Sequence, residues 1–101
     1  MSKERQFQES PWYQGEDEER VYTVTTTPWG SSPSSSAVVI KDSAGDDKST
    51  TCLTGSPSVS GDVITLPKIH SLTAGEVYRL EVKFTIAGNI EEAYGIIHAE
   101  E

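Results

Sequence analysis

From Val77 to Ile86 the chain alternates with a period of two. Tyr78, Leu80, Val82, Phe84 and Ile86 fall on one face, and Val77, Arg79, Glu81, Lys83 and Thr85 on the other. Successive side chains of a strand point to opposite faces, so this segment predicts one long strand with a buried and a wet face. No helix places those residues on two clean faces, because its period is 3.6. Everything else in the chain has to supply a cover for that apolar face.

The neighbouring segments supply it as further strands. Ala87-Gly88-Asn89 predicts a short hairpin turn. Ile90 to Ala99 returns with Tyr94, Ile96 and His98 on one face and Ala93, Gly95, Ile97 and Ala99 on the other. Both faces are mostly apolar, which predicts a central position in its sheet. Upstream, Val21 to Thr27 is rich in β-branched residues and ends at Pro28, a strand signal. Trp29 to Ser36 reads as a loop, Ala37 to Asp42 as a strand, and Ser43 to Asp47 as a turn. Ser49 to Leu53 predicts a short strand around Cys52, Val59 an edge strand, and Val63 to Leu66 a strand stopped by Pro67. No segment carries a helical period.

Leu72-Thr73-Ala74-Gly75-Glu76-Val77-Tyr78 is the most specific string. In Greek-key sandwiches a Tyr near the start of a long strand folds back, and its hydroxyl bonds the backbone a few residues upstream. Leu72 fills the core, Gly75 lets the chain turn and Tyr78 closes the crossover. The pattern resembles fibronectin type III and related immunoglobulin-like domains. The fold expectation is therefore all-β, an immunoglobulin- or fibronectin type III-like antiparallel β-sandwich over residues 21–101.

Residues 1–20 read differently. They are polar, hold the run Glu16-Asp17-Glu18-Glu19 and show no apolar period. They predict an extended acidic N-terminal arm. Phe7, Trp12 and Tyr13 sit in this arm, either as anchors on a partner or folded back onto the domain's own core.

Charge and composition exclude several classes. The chain has 101 residues and a formal net charge of −8, with its eight Lys and Arg scattered. Nucleic-acid binding needs clustered basic residues, and an anionic membrane repels such a surface. Neither partner is expected. The first residues carry no apolar run of a signal peptide, and no membrane span is expected. One cysteine, Cys52, allows no intrachain disulfide and reads as a small buried residue. His70 and His98 lack the spacing of a metal pair, no Gly-x-Ser-x-Gly string occurs, and neither acidic run has the ordered spacing of a calcium loop. No catalytic residue, metal or cofactor is expected, and the chain is expected to bind and not to catalyse.

Three strings carry a family resemblance: Val21-Tyr22-Thr23-Val24-Thr25-Thr26-Thr27-Pro28-Trp29-Gly30-Ser31-Ser32-Pro33; Ser58-Val59-Ser60-Gly61-Asp62-Val63-Ile64-Thr65-Leu66-Pro67; and Leu72 through Phe84, with Gly88-Asn89 and Glu92-Ala93-Tyr94 after it. Over 21–99 the chain resembles a group of small structural proteins of tailed bacteriophages and prophages, products of the gene cluster between capsid and tail. The resemblance implies a place in the virion, reached from the host cytoplasm during assembly. It implies a head decoration (cement) or head–tail neck protein that binds other virion proteins (capsid, portal or neck, or tail), with homo-oligomers in the assembly. Phe7, Trp12, Tyr13 and Trp29 are the expected partner contacts. Deleting residues 1–20 is expected to abolish incorporation while leaving a folded domain. Two other readings stand beside it. A tail or fibre module binding carbohydrate or a cell surface would use Trp29 and the Ser-rich loop, and an inhibitor of a basic host protein would use the acidic arm.

Overall fold

The computed structural model describes residues 5–101. The first four residues of the expected arm lie outside the described residues. Among the described residues the named elements are all strands apart from one helical turn. Its elements are β1 (Trp12–Gly15), β2 (Thr23–Thr25), β3 (Ser34–Lys41), α1 (Ser49–Cys52), β4 (Leu53–Thr54), β5 (Ser58–Ser60), β6 (Val63–Thr65), β7 (Lys68–Ile69), β8 (Val77–Ile86) and β9 (Asn89–Glu100).

One four-stranded sheet has the order β1-β9-β8-β3. β8 and β9 pair antiparallel through ten residue pairs from Val77↔His98 to Ile86↔Asn89. The turn between them holds Ala87 at φ 52° and Gly88 at φ 84°. Two successive left-handed residues match the twist of the flanking strands. β3 covers the other edge of β8, with a register shift between Ser34 and Ala37. A second layer is formed by β2-β6-β5 and by β4-β7. Arg20 bridges antiparallel to Ile69, so the β2 side of this layer continues past β7.

The core lies between the layers. Tyr78, Leu80, Val82, Phe84 and Ile86 of β8 are all buried, as are Ala93, Ile97 and Ala99 of β9. Val24, Ile64, Leu66, Ile69 and Leu72 meet them from the opposite side. Each large aliphatic or aromatic residue moved out of water this way contributes about 1.5–3 kcal/mol. The Tyr78 hydroxyl accepts a hydrogen bond from the Thr73 amide at 2.9 Å. Gly75 turns the chain at φ 89°, a conformation that costs any residue with a Cβ. The Gly75 amide then donates to the Ala99 carbonyl.

Three expectations are corrected. The four-stranded sheet is mixed rather than antiparallel, because β1 runs parallel to β9 from Trp12↔Ile97 to Gly15↔Glu100. Ser49–Cys52 is a helical turn and not a strand. The Asp47 carboxylate accepts the Ser49 amide at 2.8 Å, and the Thr51 and Cys52 amides both donate to the Lys48 carbonyl. This local Asx-type turn overrides the β preference of Thr50 and Thr51.

The third correction concerns the arm, which from Gln6 to Arg20 is part of the fold. Gln6 bridges to Tyr94, and the Phe7 amide donates to the Tyr94 carbonyl at 2.9 Å. The Ile96 amide donates to Ser10 Oγ at 2.9 Å. The ladder of β1 follows, and the Glu16 amide donates to the Glu100 carbonyl at 2.6 Å. Gln14 is fully buried. Its side-chain nitrogen donates to the carbonyls of Ile69 and Glu18 at 2.8 and 2.9 Å, and its oxygen accepts the Tyr22 hydroxyl at 2.8 Å. One amide thus ties the edge of the first sheet to the second layer.

Candidate functional site

The expected contact aromatics separate into two groups. Phe7 is 1% exposed. It packs edge-on to Trp29 with ring centroids 5.3 Å apart, and Trp29 packs edge-on to Phe84 at 5.8 Å. Trp29 is held there by the buried Thr26, whose carbonyl accepts both the Trp29 and the Gly30 amides. A Cβ on Gly30 would lie 2.6 Å from Ile86 Cγ2. The Thr26-Thr27-Pro28-Trp29-Gly30 string is thus a plug that closes one end of the core, and not a loop tip offering an aromatic to a ligand. Trp12 faces inward, with its ring against Tyr22 at 4.8 Å. Its six-membered ring lies so close over Gly95 that a Cβ there would collide with Trp12 Cζ3. Phe7, Trp12 and Trp29 therefore serve the core. Tyr13 alone of the four points outward, 59% exposed. Leu72, Gly75 and Tyr78 form the corner described above and touch no candidate site.

Among the described residues, the outer face of the β1-β9-β8-β3 sheet holds three of the five exposed large hydrophobic residues, Tyr13, Val77 and Ile90; the other two, Val21 and Val59, lie outside this sheet. The registers of the three strand pairs set its rows. Tyr13, His98 and Val77 form one row. Ile96, Arg79 and Lys41 form the next, then Tyr94, Glu81 and Val39, then Glu92, Lys83 and Ala37. Ile90, 74% exposed, begins the outward column of β9. The sequence pattern read the two apolar faces of β9 as a sign of a central strand. β9 does have neighbours on both edges, but only one of its faces meets the core. Tyr94, Ile96 and His98 lie half-buried on the other. The signal that finds them is the mismatch with β8, whose outward residues Arg79, Glu81 and Lys83 belong on an uncovered sheet. An apolar column beside them has no folding reason to be apolar. Contiguous exposed apolar groups rimmed by charge mark interaction sites.

The groups on this face hold one another in place. Tyr13 stacks on His98, centroids 4.8 Å apart and planes 14° from parallel. The Arg79 guanidinium sits 3.9 Å from the Tyr94 ring centroid, within cation–π range. Glu81 takes Arg79 on one oxygen at 3.2 Å and Lys41 on the other at 3.5 Å. Arg5 reaches Glu92 at 3.4 Å. Exposed ion pairs like these add little stability, but they fix a planar pattern of rings and charges. Such a surface suits a protein partner, whose anchors are aromatic and arginine side chains.

Groups with chemical potential lie elsewhere. Cys52 is buried and its Sγ lies 3.7 Å from the Ser71 carbonyl. Burial pushes its thiol pKa up, with Lys48 pulling weakly the other way, so the nucleophilic thiolate is disfavoured. The His70 ring nitrogens lie 2.6 Å from Thr54 Oγ1 and 2.8 Å from Ser71 Oγ, a link joining β4 to the segment after β7. Among the described residues no three His, Cys, Asp or Glu side chains converge as a metal-binding group, and no helix is long and apolar enough to cross a membrane.

No protein-family model matches the chain, and no curated protein or solved structure matches it.

Proposed function

We propose that the chain is an immunoglobulin-like β-sandwich acting as an accessory structural protein of a tailed-bacteriophage virion. In this reading it is a head decoration or head–tail neck component that binds capsid, portal or tail proteins and catalyses nothing. The sandwich assignment is supported by the strand orders, by the parallel pairing of β1 with β9 and by the Tyr78–Thr73 corner bond. The place in the virion is supported by the three strings that resemble the phage group.

The observation that carries the binding role is the run Tyr94, Ile96 and His98 on the outward face of β9, separated from the exposed Ile90 by Glu92 and flanked by Tyr13 and by Arg79 over Tyr94. Docking then uses the sheet face instead of a free arm. The carbohydrate reading loses its aromatic, because Trp29 is packed between Phe7 and Phe84.

The test is quantitative mass spectrometry of particles purified from cells producing the chain, with the Ile96→Asp variant in parallel. The unsubstituted chain should be present, at a high copy number for a decoration protein or at about six to twelve copies for a ring at the neck. The variant should fold and be missing from particles. Absence of the unsubstituted chain refutes the virion reading, and incorporation of the variant refutes the face.

A further inference from the structure

Arg79 on the outer face is held on one side and open on the other. Its guanidinium lies over the Tyr94 ring, 3.9 Å from the centroid, and its Nε donates to Glu81 at 3.2 Å. Neither terminal nitrogen has a hydrogen-bond partner among the described residues. A guanidinium carries its donors in a planar fork, so an arginine fixed through Nε leaves the edge formed by its two Nη atoms free to take a carboxylate. The ring and Glu81 already restrict the side chain, so little rotamer freedom remains to be lost on binding.

Arg79 lines a recess of about 100 Å³ together with Arg5, Glu81, Lys83, Glu92 and Tyr94. The registers explain the meeting. Glu81 pairs with Tyr94 and Lys83 with Glu92, and the lean of Arg79 over Tyr94 carries its charge one row toward Lys83. Both carboxylates are already engaged, Glu81 by Arg79 and Lys41, and Glu92 by Arg5. Lys83 makes no ion pair among the described residues. Arg5, Lys41, Arg79 and Lys83 thus outnumber Glu81 and Glu92 by two, on a chain that carries −8 overall. The acidic end of the face does not cancel this surplus. Glu100 is eight residues from Glu92 along β9, about 27 Å at ~3.4 Å per residue. The Debye length at physiological salt is only ~8 Å.

Resting on the reading of this face as a docking surface, we propose that the recess takes a carboxylate side chain, Asp or Glu, of the partner protein. The two carboxylate oxygens accept from the terminal nitrogens of Arg79, a charge-assisted bidentate contact. Lys83 supplies the second positive charge. Apolar groups beside that carboxylate on the partner then cover Tyr94 and Ile96. Arginine and tyrosine together are the residue types that dominate interface energetics. A partner lysine or arginine at the same place would meet like charge, so the recess selects by sign.

NMR titration of the isotope-labelled full chain with N-acetylglutamate methylamide tests this, with N-acetylglutamine methylamide as the neutral control. The Arg79 side-chain, Lys83 and Tyr94 signals should shift together and saturate with a Kd of about 1–10 mM, the strength of one exposed bidentate contact. The affinity should fall about threefold or more when salt is raised to about 0.5 M. Arg79→Gln and Lys83→Gln should each weaken it by a similar factor. Both residues are exposed, and circular dichroism checks that the variants fold. Equal shifts with the glutamine probe, no saturable shift up to about 50 mM, or unchanged binding in Arg79→Gln overturns the proposal. Particle incorporation separates it from the reading it rests on. Arg79→Gln should be depleted from particles about tenfold. If Ile96→Asp is excluded while Arg79→Gln enters normally, the carboxylate anchor is overturned and the docking face stands. If both enter normally, the face fails and the anchor with it.

Discussion

Replacing Gln14 with leucine removes a buried polar side chain that joins the first sheet to the second layer, while nearly conserving volume. Three hydrogen bonds are lost: those to Ile69 and Glu18 carbonyls and the one from the Tyr22 hydroxyl. The losses are unequal. The Ile69 carbonyl still accepts the Arg20 amide at 3.0 Å, and the bond to Glu18 is only partly buried. Each of these is worth about 1 kcal/mol. The Tyr22 hydroxyl is left without its partner in a buried setting, which costs about 1–3 kcal/mol. The sum is about 3–5 kcal/mol, a large part of the ~5–15 kcal/mol that stabilises a domain. Urea unfolding followed by tryptophan fluorescence reads it. Tyr22→Phe alone should cost about 1–3 kcal/mol, because it leaves the buried Gln14 oxygen without its partner. The double variant should be less destabilised than the sum of the singles, because the orphaned hydroxyl is gone. A loss under about 1 kcal/mol in Gln14→Leu, or strict additivity in the cycle, refutes the role of this amide as a tie between layers.

Other consequences are independent of that network. Phe7→Ala should destabilise by about 3–5 kcal/mol through the cavity it leaves beside Trp29 and Phe84, and a stability within error of the parent would return residues 5–20 to the status of an arm. Ala87→Asn should raise stability by about 1 kcal/mol, since Ala87 holds φ 52° in the β8–β9 turn and Asn-Gly is the preferred pair there; thermal denaturation shows whether it does. Burial raises the Tyr22 pKa above 10.0, with Arg20 opposing it and Glu18 reinforcing it. The folded state therefore holds this proton more tightly than the unfolded one. Its contribution is complete below pH 10 and is lost as pH rises through the folded pKa. Unfolding free energies measured from pH 9 to 11.5 should fall more steeply for the parent than for Tyr22→Phe.

The parts of the fold that local pattern could specify were legible. β8 has the bounds its alternation predicts, because one face is buried and the other wet along all of its length. Leu72, Gly75 and Tyr78 take the geometry their spacing suggests. The N-terminal strand was not legible for a physical reason. β1 has four residues, and its fully buried position is a glutamine, so the apolar alternation that marks strands is missing. Its partner β9 lies more than eighty residues away and runs parallel, so no turn signal links them. Phe7, Trp12 and Trp29 were visible as unusual aromatics, but only the contacts show that they face inward. The candidate face was misread in the opposite sense. Tyr94, Ile96 and His98 looked like the second buried side of a central strand, when β8 beside them already carried an open outer face.

The central claim is that partners meet the chain on the outer face of β1-β9-β8-β3. Hydroxyl-radical footprinting of the side chains, free and in assembled particles, tests it most directly. Tyr13, Tyr94, Ile96 and His98 should lose reactivity together on assembly, while the exposed Val59 at the far edge of the second layer keeps its own. Unchanged labelling of those four residues, with protection at Val59 or along the Ser31–Ser36 segment instead, would contradict it.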